Sequence, residues 1–408
     1  MTGSPFEVAV TGIGMLTPAG IGTEATWARV MAGTPTAAPD PALAGLPVDF
    51  TCRVPDFRPA DLFGPRRVWR LDRHVQLAMA AAREAVADAG LDPAGWDGAR
   101  VGVVMGNGLG GTATYEKQHQ ILLERGVAQV SPMFIPMFGV NMVAGQIAID
   151  LGATGPNLVT ATACASGTTA LGTARDLLRS GVCDIVLAGG AEACLSRAVI
   201  AGLTNTGALS RCADPAGASR PFDTDRDGFV AGEGAAVLVL ERPADVRARG
   251  GRIRARITGY GASADGHHET APHPDGAGIR LAITAALADA GVAPGDVDHV
   301  NAHGSSTQLN DLVESRVLGD VLGPRPAITS TKGVIGHCIG AAGAIEAACT
   351  VLAVEHGTVP PTANLDHLDP RIEADVVVGT ARHTPLRVAI SNSFGFGGQN
   401  GVLVITAH

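Results

Sequence analysis

Thr160-Ala161-Thr162-Ala163-Cys164-Ala165-Ser166-Gly167 is the stretch on which the reading of the whole chain turns. Leu158 and Val159, just upstream, read as a short buried strand. From Ala165 to Arg179, residues Leu171, Ala174, Leu177 and Leu178 recur at helical spacing. The cysteine therefore falls at a strand-to-helix turn among small residues. Free N–H groups and the positive end of a helix dipole at such a turn favour thiolate over thiol, the form a nucleophile needs. Most free cysteines are small buried hydrophobes, so the turn makes Cys164 a candidate that the rest of the chain must support.

Outward from this elbow the chain alternates strands and helices. Toward the N-terminus, Phe6 to Thr11 reads as a buried strand ending in a tight turn at Gly12-Ile13-Gly14. That GxG is a poor dinucleotide fingerprint, because Leu16-Thr17-Pro18 stands where a third glycine and a helix start are needed. Residues 35–65 are Pro-rich and read as a surface excursion. A helix from Arg66 to Ala89 carries Leu71, Val75, Ala78, Met79, Ala82 and Val86 on one stripe, with a basic entry of Arg66, Arg67, Arg70 and Arg73. Val101 to Met105 reads as a strand opening into a glycine-rich loop at residues 106–111. Residues 131–150 are rich in Met and Phe, which suits core, an acyl tunnel or a subunit contact.

Strands at 184–191 and 234–241 complete the first half, and the arginine-rich residues 242–252 mark a boundary. The second half repeats the order: a strand from Ile253, a helix over 278–290, a strand over 297–302, a helix over 309–322, a strand over 327–329, a helix ending near His356, and two last strands. The pattern predicts an α/β fold of two duplicated units, residues 1–250 and 251–408.

Composition narrows the function. The 408 residues are 46% hydrophobic and 17% charged, which suits an ordinary folded protein with two domain-sized cores. A net charge of -9 argues against nucleic acid as a partner. The apolar runs are short and broken, so no membrane span is expected. Seven cysteines show no CxxC pair and no zinc spacing, and residues 1–5 run straight into a strand without a secretory leader, which points to a reducing cytoplasm and no metal site. Only Lys117 and Lys332 are lysines among the 30 basic residues.

Chemistry-bearing residues gather at the ends of predicted strands. His303, in Asn301-Ala302-His303-Gly304-Ser305-Ser306-Thr307, follows a buried strand at the carboxyl edge, where open α/β sheets place their ligands. Lys332 and His337, in Ser330-Thr331-Lys332-Gly333-Val334-Ile335-Gly336-His337, repeat that placement. Glu346 lies one helix further on as a partner for Lys332. The loop Asn392-Ser393-Phe394-Gly395-Phe396-Gly397-Gly398 offers backbone N–H groups suited to an oxyanion hole.

Cys164, His303, Lys332 and His337 in this order resemble the elongating β-ketoacyl-acyl carrier protein synthases, the ketosynthases of the thiolase superfamily. The blocks VTGIGMLTPAG, TACASG, SRPFDTDRDGFVAGEGA, NAHGSSTQLND, STKGVIGH with GAAGAIEA, and NSFGFGGQN are similar to family blocks in family order. Primer-loading relatives carry Cys-His-Asn and thiolases carry a second cysteine, so His337 favours elongation.

The resemblance implies a thiolase fold with a layered α-β-α-β-α core and a set of roles. Cys164 would take an acyl chain from the phosphopantetheine of an acyl carrier protein. His303 and His337 would donate from Nε2 to a malonyl-derived enolate, with Lys332, held by Glu346, polarising them. The N–H groups of Cys164 and Phe396 would form the oxyanion hole. Ser305 and Thr307 would touch the pantetheine arm, Leu109 and Phe396 would gate the site, and Phe138 would belong to a tunnel wall crossing a two-fold dimer interface.

Arg66, Arg67, Arg70 and Arg211 would dock the carrier, and no cofactor would be bound by the enzyme itself. Because the silent chain-length partners of aromatic polyketide systems lack the cysteine, Cys164 implies a catalytic subunit, either a homodimer or paired with such a cysteine-less paralogue. Ile335 and the stretch Glu355 to Asn364 are similar to polyketide ketosynthases, whereas VNMVAGQIAI is similar to the fatty-acid type. The balance favours a polyketide or polyene pathway.

Overall fold

A computed structural model describes residues 6–408; Met1 to Pro5, the lead-in to the first predicted strand, lie outside them. Ten strands build the main sheet: β1 (Val8–Thr17), β2 (Val101–Gly106), β3 (Asn157–Thr160), β4 (Ile185–Glu192), β5 (Gly234–Glu241), β6 (Ala255–Ala264), β7 (His299–Asn301), β8 (Ala327–Thr329), β9 (Val388–Gly395) and β10 (Gln399–Thr406). Their spatial order is β8-β7-β9-β10-β6-β1-β5-β4-β2-β3, with the two-residue strand Gly20–Ile21 beside β1.

Duplication is written in this order. Within the first half β2 pairs in parallel with β3 and β4, then β4–β5 and β5–β1 are antiparallel. In the second half β7 pairs in parallel with β8 and β9, then β9–β10 and β10–β6 are antiparallel. The halves join where Val8, Ala9 and Val10 pair with Ile257, Arg256 and Ala255.

The helices form three layers around these half-sheets. On one outer face lie α1 (Arg73–Asp88), α2 (Thr112–Arg125), α3 (Phe134–Phe138) and α4 (Met142–Leu151), where α1 packs on β1 and β5, and α4 on β2. Between the half-sheets lie α5 (Ser166–Arg179) and α8 (Ala342–His356), which pack on each other. On the far face α6 (Ala277–Ala290) packs on β6 and β10, with α7 (Gln308–Leu322) beside it. Each interface is closed by its own apolar cluster, and the middle one draws residues from both halves. The chain thus has the five-layered thiolase architecture, its halves fused through one core.

Several local expectations change. Gly12 and Gly14 lie inside β1, with a bulge between Val10 and Gly12 rather than a turn after Thr11. A Cβ on Gly12 would come within 2.1 Å of the Ala85 carbonyl oxygen, and one on Gly14 within 2.0 Å of that of Ala81. The glycines are there because α1 crosses the strand at backbone distance. The second half repeats the device: a Cβ on Gly261 or Gly259 would meet the carbonyl oxygens of Ala282 and Ala286 at 2.1 and 2.3 Å.

The predicted 66–89 helix is broken. Residues 65–68 form a short turn, and α1 begins only after Asp72, whose side chain accepts the His74 N–H. Residues 35–65 are largely irregular but hold buried Leu43, Val48, Phe50 and Cys52 in a small cluster with Ile200, Leu209 and Phe229. Residues 243–248 within the boundary are helical, with Val246 buried. Leu158 is 42% exposed rather than buried, because β3 is an edge strand paired only with β2. One apolar stretch, Ile339–His356, has the length and composition to cross a membrane, contrary to expectation, but 89% of it is buried as the central helix of the core.

Candidate active site

The middle layer aims both its helices at one point. Cys164 precedes α5 and His337 precedes α8, in equivalent places of the two halves. The helices approach closely there: a Cβ on Gly167 would lie 2.5 Å from the Ala344 nitrogen, and one on Gly343 2.2 Å from Thr168 Oγ1. The elbow is held by its own hydroxyl, since Ser166 Oγ donates to the Ala163 carbonyl at 2.6 Å and accepts the Thr162 N–H at 3.0 Å. Ala163 consequently sits at φ 48°, a left-handed conformation that a non-glycine residue adopts only where its surroundings over-determine it.

Cys164 Sγ lies 3.1 Å from His337 Nε2, and one ring nitrogen from each of His303 and His337 falls with the sulfur inside a 4.8 Å cluster. The tautomers follow from the far side of each ring. His337 Nδ1 accepts the Ile339 N–H at 3.2 Å, so the proton of the neutral ring resides on Nε2. His303 Nδ1 faces the Lys332 ammonium at 3.3 Å, which places its proton on Nε2 as well. Burial first, and then the Lys332 charge, hold both imidazoles well below their usual pKa, and so neutral. By donor type, two imidazoles and a thiolate would suit a zinc ion. With protons fixed on both Nε2 atoms, the set is arranged to donate hydrogen bonds rather than to coordinate.

Lys332 is anchored by the His303 carbonyl at 2.6 Å and by Glu346 Oε1, all in full burial. Burial pushes the Glu346 carboxyl up to about 7 against the pull of the ammonium. The sulfur departs from expectation. Cys164 is only 7% exposed, and burial pushes its thiol up to about 11, although Lys332 and the N–H groups of Phe396 and Cys164 pull it down. The helix end is therefore outweighed, and Cys164 favours the thiol form.

A cavity of about 590 Å³ opens over these groups, lined on the predicted sides by Leu109, Ser305, Thr307 and Phe396. Leu203, Ala208, Phe229 and Ile339 give it an apolar wall. Ser305 and Thr307 bond to each other at 2.9 Å, and Thr307 also caps α7.

Phe138 does not join them. It packs with Tyr115 and Phe134, at centroid distances of 5.2 and 5.8 Å, away from the cavity of its own chain, because α3 lies on the outer face. Of the arginines expected to dock the carrier, Arg66, Arg70 and Arg211 are exposed. Arg67 is half-buried and bonded to Asp150 at 2.5 Å, a carboxylate that Arg83 also grips, so it is a structural residue. Arg73 is likewise spent on Glu233.

Sequence reasoning missed the residues that hold the loops. Glu314 on α7, fully buried, accepts the N–H groups of His303 and Gly304, both at 2.8 Å. The buried Arg226 guanidinium grips Asp369 at 2.8 Å and the Thr307 and Gln308 carbonyls, fixing the wall that carries Ser305. Phe229 and Phe394 set ring edges against His337 and His303 at 5.0 and 5.8 Å. Glu314 does stand at helical spacing from Asn310, which also bonds it, and that was the available signal.

The comparisons agree with this geometry. Residues 6–245 match the N-terminal domain family of β-ketoacyl synthases, and residues 254–366 the C-terminal one. The chain is 42% identical over 405 residues to 3-oxoacyl-[acyl-carrier-protein] synthase 2 of Synechocystis sp., covering 97% of each chain. It is 41% identical over 404 residues to the protein of the same name from Staphylococcus aureus, covering 98% of each. Among solved structures it superposes on the ishigamide ketosynthase/chain length factor with TM-score 0.92 and 36% identity, covering 99% of this chain and 100% of that one. A type II polyketide ketosynthase bound to the hexaketide, in complex with its acyl-carrier protein, gives TM-score 0.89 and 31% identity, covering 99% and 100%. With its cysteine, its two neutral histidines and its layered halves, the chain belongs to the β-ketoacyl synthase family.

Proposed function

We propose that this β-ketoacyl synthase is the condensing subunit of a type II polyketide pathway, making an aromatic or polyene chain. The observation that carries a condensing role is the complete set of Cys164, His303 and His337 around one apolar cavity, with Lys332 and Glu346 behind it. A non-condensing partner subunit of this fold has no need of such a set.

The geometry accounts for two half-reactions. In the first, the Cys164 sulfur attacks the acyl carbonyl of a carrier-bound phosphopantetheine thioester. A new C–S bond forms, and the departing pantetheine sulfur takes up the proton that the cysteine gives up. In the second, a malonyl thioester loses its carboxylate as carbon dioxide, and the bonding pair becomes an enolate. The Nε2–H groups of His303 and His337 donate to its oxygen. Two neutral donors fixed in a dry site stabilise charge that appears only in the transition state. The enolate carbon attacks the cysteinyl carbonyl, whose oxygen is received by the N–H groups of Cys164 and Phe396, and collapse breaks the C–S bond and frees the cysteine as a thiolate, which takes a proton from water to return to the thiol. The chain's own residues suffice for each step as written, with substrates carried on phosphopantetheine and no cofactor held by the enzyme.

The polyketide assignment rests on Ile335 and the 355–364 stretch, and on similarity to polyketide ketosynthases. A fatty-acid elongating enzyme is the second reading, supported by the higher identity to the 3-oxoacyl-[acyl-carrier-protein] synthase 2 proteins. Its partner would be an acyl carrier protein and a second subunit across the β3 edge, either a copy of itself or a cysteine-less paralogue. Such a contact would cover the exposed Leu158 and Ile149 and bring α3, with Phe138, to the neighbouring cavity. Seven free thiols suit a cytoplasmic location.

Mass spectrometry after incubation with acyl carrier proteins tests the reading. A stoichiometric acyl adduct is expected on the Cys164 peptide, absent in Cys164→Ala, on a particle whose mass corresponds to two subunits. Priming with β-ketoacyl or α,β-unsaturated chains followed by malonyl carrier protein separates the pathways. Extension of those primers supports the polyketide assignment, whereas extension of saturated primers alone supports fatty-acid elongation. An adduct on Cys338 or Cys349 overturns the active-site assignment.

A further inference from the structure

Outside the catalytic set, one buried carboxylate joins two parts of the cavity wall. Glu192 ends β4 and has no exposed surface. Its Oε2 accepts the Gly108 N–H at 2.7 Å, and its Oε1 faces Asn107 Nδ2 at 3.3 Å. Both donors belong to the loop of residues 106–111, which sends Leu109 into the cavity. Gly340, packed against the same Oε2, belongs to the turn of residues 337–341, which sends in His337 and Ile339.

The two segments meet over this carboxylate with no room to spare. A Cβ on Gly340 would lie 2.6 Å from the Gly108 nitrogen and 2.7 Å from Glu192 Oε2. Ile339, between His337 and Gly340, sits at φ 45°, and its N–H fixes the His337 tautomer. A strained residue holds its geometry only where its neighbours are held, and Glu192 packs directly against Gly340. Asn107 also braces the same loop, donating to the Ala191 carbonyl at 2.7 Å and accepting the Gly110 N–H at 2.7 Å.

We propose that Glu192 is a positioning residue that ties the Leu109 loop to the His337 turn, so that acyl-chain accommodation and alignment of the enolate-binding histidine share one anchor. Burial pushes the Glu192 carboxyl up to about 7, and in its ionised form it only accepts, which suits the Gly108 N–H and Asn107 amide that donate to it. An amide of the same shape turns a donor onto those N–H groups and leaves buried partners unsatisfied. This inference rests on the cavity being the acyl site.

The test is Glu192→Gln, with malonyl decarboxylation, the rate ratio for long against short acyl primers, Cys164 alkylation by iodoacetamide and melting temperature all measured. Displacement of a positioned group by about 1 Å costs on the order of a hundredfold. Decarboxylation is therefore expected to fall by about tenfold or more, and the chain-length ratio to shift by about threefold or more, with alkylation close to wild type and melting lowered by only a few degrees for the unsatisfied buried partners. A variant matching wild type in both the ratio and decarboxylation, or a change in only one of them, overturns the proposal. So does a parallel fall in every rate together with melting, which marks a purely structural role. Should Glu192→Gln not fold, Asn107→Ala decides, because it removes a donor to Glu192 together with the brace of the Leu109 loop. A shift in both the chain-length ratio and decarboxylation supports the shared anchor, and a change in only one of them, or in neither, overturns it. Failure of the wild-type protein to take an acyl group on Cys164 would instead sink the condensing reading, whatever Glu192 does.

Discussion

At the scale of single residues, the decisive tension is between burial of Cys164 and the groups that stabilise its anion. Because desolvation wins in the resting protein and holds the thiol up to about 11, the thiolate fraction at neutral pH is small and grows about tenfold per pH unit. Iodoacetamide alkylation of Cys164 is thus expected to rise steadily from pH 7 past pH 9 without levelling off, and a plateau below pH 8 would show that desolvation had been outweighed. Lys332→Ala removes the largest influence lowering that pKa, so its curve moves to higher pH and its rate at any given pH falls. The same variant frees the His303 tautomer, so malonyl decarboxylation should drop by about a hundredfold or more, the usual effect of losing an oxyanion-type donor. Cys164, His303 and Lys332 could be singled out in the sequence, since each stands where an apolar strand gives way to a turn, and His337 follows among glycines one short helix later. Glu314 and Glu192 could not, because their shortest bonds come from backbone N–H groups, which every residue carries, and the Asn310 spacing was the only trace Glu314 left.

At the scale of elements, strands and helices were legible from periodicity, while the way they touch was not. Gly12 and Gly14 illustrate the difficulty: glycine signals a turn when the chain must bend, but also a crossing when another backbone must come close. Only the alanines of α1, remote in sequence, decide between the two. The same ambiguity hid the edge position of β3, since Leu158 and Val159 are as apolar as a core strand. The crossing predicts opposite signs for two glycine-to-alanine changes. Gly14→Ala drives a methyl group into the Ala81 carbonyl, and should cost about 1–3 kcal/mol of stability by overpacking. Gly202→Ala, inside the helix Arg197–Asn205 with nothing within 4 Å of its added Cβ, should raise stability by about 0.4–1 kcal/mol. Urea midpoints of the two variants, read at unchanged slope, measure both, and equal midpoints would refute the close crossing.

At the scale of the whole molecule, the duplicated halves make one active site because neither half has the full set: the first brings the sulfur, the second both histidines and the lysine. The proposed docking of a carrier protein is a matter of charge at this scale too. Acyl carrier proteins are acidic as a class and this chain carries -9, so attraction has to come from a local patch against the overall field. The structure divides the basic cluster that looked uniform in the sequence. Arg66 and Arg70 are exposed beside Trp69, with the Arg70 guanidinium 5.0 Å over the indole, and Arg211 is exposed next to Asp227 of the cavity wall. Arg67, by contrast, is committed to Asp150. Arg66→Glu with Arg70→Glu should accordingly slow carrier-dependent acylation by about tenfold or more, equivalent to ~1.4 kcal/mol, and flatten its dependence on salt. Alkylation by a small thiol reagent, which needs no docking surface, should be unchanged. Arg67→Glu should behave differently, setting like charges together at Asp150, lowering the melting temperature and slowing both reactions. Carrier-dependent rates indifferent to both charge reversal at Arg66 and Arg70 and added salt would place the docking surface elsewhere, with Arg211→Glu as the next variant to separate the two sides of the cavity mouth.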